Sequence, residues 1–160
     1  MKNKGFTLIE VVISLLLISM VSVGAMFTIT LSLNSAARVQ NDLIAASLVQ
    51  EGLEIVRNIR DQDWHLGNSF GASLSNGDYI IDWNSQSLAA FSDIFLKKDA
   101  DGFYNYTSGA DTIFKRKIII ENSSQNPSTV EKVLKVEVSW QEKGGISKMI
   151  QAESRLLNWQ

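Results

Sequence analysis

At 160 residues the chain has room for one ordinary domain, and a net charge of −2 provides no broad basic field for nucleic acid. It contains no cysteine, which excludes a disulfide framework and thiolate chemistry, and its one proline, Pro127, leaves few forced breaks.

Met1 to Gly5 is a basic pentapeptide carrying Lys2 and Lys4. From Phe6 to Ala37 the only charged side chain is Glu10, and the next is Arg38. Ionisable groups inside membrane-length segments are costly and usually functional, so Glu10 is the first candidate. Val11 to Leu33 is 23 residues without a charge. As a helix it is roughly 35 Å long, enough for a hydrocarbon core of about 30 Å. It is too long for the usual signal-peptide core of about 7–15 residues, and Ala36-Ala37 is a weak cleavage site. Lys2, Lys4 and the starting amine before the span, against Arg38 after it, put the N-terminus in the cytoplasm and the rest outside. Ser14, Ser19, Ser22, Gly24, Thr28 and Thr30 interrupt the aliphatics; they read either as sites of close helix approach or as ordinary membrane-helix composition. Gly24 is the one weak point in the helix.

Beyond Asn34 the helical period persists and becomes amphipathic. Ile44, Ala45, Leu48, Gly52, Ile55, Val56 and Ile59 share one face, and Asp42, Gln50, Glu51, Glu54, Arg57 and Asn58 the other. Glu54 is placed to meet Arg57 or Asn58, and Arg57 to meet Asp61, each worth about 0.2–0.5 kcal/mol when exposed. Leu53 lies off the stripe and reads as an exposed leucine or one that a neighbouring subunit covers. A helix from Phe6 to about Asp61 is roughly 84 Å long, and its second half needs a sheet to cover its stripe.

His65 to Asp78 is rich in Gly, Asn and Ser and reads as a loop. Asp78 to Trp83 is a first strand, and Ser85 to Ser92 is ambiguous. Ile94 to Lys97 and Phe103 to Tyr106 can pair across the Lys98–Gly102 turn, whose Asp-Gly end suits a hairpin. Phe114 to Ile120 is a stronger strand with Phe114, Ile118 and Ile120 on one side. Asn122 to Ser128 is a polar loop. Leu134, Val136, Val138 and Trp140 alternate with polar residues, Lys143-Gly144-Gly145 turns, and Ile146 to Leu157 returns with Ile150, Ala152 and Leu156 inward. Such alternation predicts an antiparallel sheet with one covered face, and the amphipathic helix is the cover.

The stretch Lys4-Gly5-Phe6-Thr7-Leu8-Ile9-Glu10 resembles the processing site of type IV prepilins and the related pseudopilins. The resemblance implies cleavage after Gly5 by a membrane peptidase, the prepilin peptidase, with N-methylation of the exposed Phe6 amine. It also implies that Glu10 meets the N-terminus of a neighbouring subunit during assembly. Loss of Lys2 and Lys4 with the leader would take the net charge from −2 to −4. Ala45 to Trp64 and the closing Leu-Leu-Asn-Trp are similar to a subgroup of minor-pilin-like proteins. The chain departs from the family in lacking both a proline halfway along the helix and a C-terminal disulfide.

The implied fold is α+β and pilin-like, a long N-terminal helix packed on a C-terminal antiparallel sheet. The implied divisions are 1–5 leader, 6–33 membrane and filament-core helix, 34–63 amphipathic helix, and 64–160 head. The implied protein is a structural subunit of a type IV pilus or of a related secretion or competence filament, not an enzyme and without a cofactor. Its partners would be prepilin peptidase, other pilin or pseudopilin subunits, membrane lipid and an inner-membrane assembly platform. It would sit in the cytoplasmic membrane as a single-pass protein, then in an extracellular or periplasmic filament. The different reading is a single-pass membrane protein whose sheet domain binds a partner without forming filaments. Elsewhere the residues carry little chemistry. His65 reads as exposed at the helix exit. Asp99 and Asp101, with Asp111 nearby, are a fragment of a calcium loop but read first as a hairpin turn. Lys115-Arg116-Lys117 reads as a solvated face, too small a patch to support DNA binding.

Overall fold

A computed structural model of the chain describes Gly5 and Thr7 to Asn158. It divides into two compact units, Met1–Asn41 and Asp42–Gln160. One helix, α1 (Leu8–His65), contributes to both. The layout is α+β and pilin-like: a long N-terminal apolar helix whose later turns pack on antiparallel sheet.

In the first unit α1 runs through Gly24 without a break. It includes a window long and apolar enough to cross a membrane, and none of that window is buried. The hydroxyls of Ser14, Ser22, Thr28 and Thr30 donate to the carbonyls four residues earlier, and Ser19 to Leu16 O. Such back-bonding satisfies the polar groups within the helix itself.

The second unit is the head. Its main sheet has the order β2-β1-β6-β7-β8, all antiparallel: β1 (Gly77–Ile80), β2 (Ala89–Ala90), β6 (Phe114–Asn122), β7 (Glu131–Gln141) and β8 (Ser147–Leu157). A smaller sheet, ordered β4-β3-β5, is built from β3 (Lys97–Lys98), β4 (Tyr104–Asn105) and β5 (Ala110–Asp111). The expected hairpin across Lys98–Gly102 is present, with Lys97 opposite Asn105. The ambiguous 85–92 stretch contains β2, paired with Tyr79 and Ile80.

Alternation decides the core. Leu134, Val136, Val138 and Trp140 of β7 and Phe114, Ile118 and Ile120 of β6 are buried against the helix residues Ala45, Leu48, Val49, Val56 and Ile59. Val49 lies beside the expected stripe. Leu53 also packs against this core and is half-buried, which corrects its reading as an exposed residue. The closest approach of helix to sheet is at Gly52, where a Cβ would lie 2.9 Å from Val136 Cγ1 and 3.1 Å from Ile118 Cδ1. A side chain there would require Val136 and Ile118 to give way.

The helix runs four residues past the expected end near Asp61, and its exit is a Schellman turn. Gly67, at φ 72°, donates to Trp64 O at 3.0 Å, and Asn68 N donates to Asp63 O at 2.9 Å. Asp63 is buried there and accepts from Asn68 Nδ2 and from the backbone N–H and hydroxyl of Ser73. Burial pushes its carboxyl up, but these three bonds outweigh it and leave the group below its usual value. Glu54 meets Arg57 at 3.1 Å as expected, whereas Asp61 is taken by Arg60, and Arg57 reaches Ser154 on β8 instead.

Candidate processing and assembly site

Among the residues singled out in the sequence, Gly5 lies just before α1 and Glu10 in its first turn. Gly5 is exposed and outside the helix, with nothing within 4 Å of where a Cβ would be. Phe6 lies outside the described residues. Thr7 is the N-cap: its hydroxyl accepts from Glu10 N at 3.3 Å, while its carbonyl accepts from Glu10 N at 3.1 Å and Val11 N at 3.3 Å. Thr7-Leu8-Ile9-Glu10 is therefore the sequence of a capping box, a signal visible in the chain that the apolar pattern had overshadowed. The same register puts Glu10 in the first helical turn, where the N-terminal end of the helix dipole favours a carboxylate. The two observations give Glu10 a local reason to be acidic. Its side chain is exposed, in reach of a partner.

The site thus has three physical parts in sequence. An exposed glycine lies outside the helix. A capped helix start follows at once. Behind it lies an apolar helical surface that is unburied among the described residues, one that lipid or other helices would have to bury.

The head's candidates are used structurally. Asp99 Oδ1 accepts from Asp101 N at 3.0 Å and Phe103 N at 2.9 Å, and so closes the hairpin turn. Among the described residues no group of three or more His, Cys, Asp or Glu could hold a metal ion. His65 is exposed in the last turn of α1. The basic triplet is not a solvated face. Lys115 and Lys117 are paired with Asp93 at 2.7 Å and Asp78 at 2.6 Å. Arg116 points the other way and is 1 % exposed. Its guanidinium bonds Glu51 Oε1 at 2.8 Å, Leu48 O at 3.3 Å and Ile81 O at 2.5 Å, joining helix, β6 and the residue that follows β1. Position 116 has the parity of 114, 118 and 120, so the alternation that identified those three also pointed Arg116 inward.

Sequence reasoning also missed Glu131, which is 1 % exposed at the head of β7. It accepts from Asn126 Nδ2, Ser123 Oγ and Arg155 Nη1 and pins the 123–130 loop to the sheet. The Asn126 and Ser123 bonds hold its carboxyl below the usual value, with burial opposing and Arg155 assisting.

Residues 1–26 match the family model described as the prokaryotic N-terminal methylation motif, the signature of type IV pilins and pseudopilins. No similar curated protein and no similar solved structure was found.

Proposed function

From a methylation signature that runs directly into a helix able to span a membrane, we propose that the chain is a type IV pilin-like subunit, made as a prepilin and assembled into a filament. That continuity is the observation that carries the reading. Members of the family are structural subunits rather than enzymes, and the reading gives this chain no catalysis of its own. A prepilin peptidase cuts between Gly5 and Phe6 and methylates the Phe6 amine. Residues 6–33 then serve first as membrane anchor and later as filament core. Residues 34–63 carry the helix into the head, and residues 64–160 form the rest of the head. The resemblance of Ala45–Trp64 and of the closing residues supports a minor pilin or pseudopilin rather than a major subunit.

Glu10 is the assembly residue in this account. Carried at the start of an apolar helix, its carboxylate needs a counter-charge when the helix leaves lipid for a protein core, and the Phe6 amine of a neighbour supplies one. The gain is chiefly register between subunits, since desolvation offsets much of the attraction. Glu10→Leu tests the role in cells that assemble the filament. Membrane insertion and cleavage are expected to persist, with the variant missing from sheared filaments; normal incorporation would refute the role.

A further inference from the structure

Among the described residues Lys132 is the one buried lysine, 7 % exposed. It is the second residue of β7 and has the parity of Leu134 and Val136, so its side chain enters the covered side of the sheet. The loop that follows α1 closes over it: a Cβ at Gly71 would lie 2.6 Å from Lys132 Cε and 3.3 Å from its Cδ. Its nitrogen donates to Asn76 Oδ1 at 3.3 Å and to Asn122 Oδ1 at 3.4 Å, and among the described residues no carboxylate pairs with it. Burial without a counter-charge pushes the ammonium below its ordinary value of 10.5 and favours the neutral amine, a nucleophile.

Asn76 is an exposed residue followed directly by Gly77. An asparagine side chain is open to attack by the amide nitrogen of the next residue, and a glycine there puts no side chain in the way. Attack on Cγ closes a cyclic imide and expels ammonia. Gly77 is the first residue of β1, opposite Ile120, so fraying of one strand end is enough to free its nitrogen. Asn122 precedes Ser123, whose side chain hinders the same closure. Of the two asparagines on the Lys132 nitrogen, Asn76 is therefore the one that becomes an electrophile.

We propose that Lys132 and Asn76 become joined by an amide bond, formed without an enzyme through the imide at Asn76-Gly77. The Lys132 amine attacks Cγ of the imide and the bond from Cγ to the Gly77 nitrogen breaks. The proton that the amine gives up replaces the one that nitrogen lost on ring closure. The main chain is restored, one ammonia has left, and no oxidant or cofactor is consumed. Water reaches the ring from the outer side, but the amine is already held within hydrogen-bond distance of the side chain it attacks, which favours capture by the lysine. The bond ties the loop after α1 to β7 in a chain that has no cysteine to make such a tie. It does not rest on the pilin-like reading.

The test ages the full chain in detergent at neutral pH and follows its intact mass. The wild-type chain should lose the mass of one ammonia. Trypsin should then leave residues 61–97 joined to residues 118–135, because an acylated Lys132 is no longer cut. An imide alone has the same mass, but it leaves Lys132 open to trypsin and is cleaved by hydroxylamine. Lys132→Arg keeps the cation without a capturing amine, so water should open the ring and residue 76 should appear as aspartate or isoaspartate, with no joined fragment. Asn76→Gln should abolish both the ammonia loss and the joined fragment; position 76 is exposed, so this variant keeps the test decisive if Lys132→Arg fails to fold. A wild-type chain that keeps its mass on ageing, or that deamidates at Asn76 as Lys132→Arg does, would overturn the proposal. So would ammonia loss that stays at the imide, or a joined fragment that survives Asn76→Gln. None of these results depends on the state of Phe6, so they separate from failure of the pilin-like reading.

Discussion

Gly52→Ala opposes two effects of known sign at the point where α1 comes closest to the sheet. Removing a glycine from the helix interior favours the helix by about 1 kcal/mol. The new methyl would sit 2.9 Å from Val136 Cγ1, 3.1 Å from Ile118 Cδ1 and 3.4 Å from Val136 Cγ2, so two branched side chains must give way. Overpacking of this kind costs about 1–3 kcal/mol. Val136 is fully buried and has little freedom to move, so a net loss of about 1 kcal/mol is expected. A double-mutant cycle with Val136→Ala isolates the contact. Val136→Ala alone leaves a void, but together with Gly52→Ala the added methyl fills part of it. The pair should then be more stable than the sum of the singles by about 1 kcal/mol. Urea titration in detergent, followed by tryptophan fluorescence and with unchanged m-values as a control, supplies the four free energies. Strict additivity, or a stabilising Gly52→Ala, would refute the packing geometry.

Arg116→Ala removes a buried cation that ties Leu48 O, Glu51 and Ile81 O, and should cost about 3–5 kcal/mol in the same titration. Arg116→Met keeps the volume and should cost less, about 1–3 kcal/mol for the acceptors left unpaired; equal losses for the two would contradict the account. Asp63 and Glu131 both have folded-state carboxyls below their ordinary values of 3.8 and 4.5. Their contribution is therefore complete above about pH 5 and is lost as pH falls through the lowered folded values. Asn126→Ala, which deletes the largest stabiliser of the Glu131 anion, should flatten the acid limb of a stability-against-pH curve, and an unchanged limb would refute that linkage. Thr7→Ala removes the N-cap hydroxyl and should fray the first turn of α1, a change read by amide exchange at Glu10 and Val11.

How far the chain could be read follows from how local each signal was. The methylation motif at residues 1–26, in which Gly5, Phe6 and Glu10 fall, is linear and needed no tertiary information. The strands β7 and β8 alternate cleanly because only one face is covered, and their pairing followed from two strong patterns joined by Gly144-Gly145. Arg116 was misread because residue type was weighed above position: three basic residues in a row look solvated, yet the middle one had the parity of Phe114 and Ile118. Glu131 and Asp63 were illegible for a different reason. Each carboxylate is buried only because separate loops fold back to supply its donors, from Ser123 and Asn126 in one case and Asn68 and Ser73 in the other. The two-residue strands β2 and β5 have no pattern to read. The pairing of β2 follows the longer β1, whereas β5 lies against the equally short β3 beside Gly109, at φ 110°, where a Cβ would lie 2.2 Å from Lys98 O. The Leu53 contact was missed because the apolar stripe was drawn narrower than the sheet that covers it.

The central claim is that this chain is a prepilin, and the mass of the N-terminal peptide tests it most directly. Protein extracted from membranes of cells that express the prepilin peptidase should begin at Phe6, with one methyl group on its amine. A chain that still begins at Met1, or one cut after Ala37 to begin at Arg38, would contradict the account.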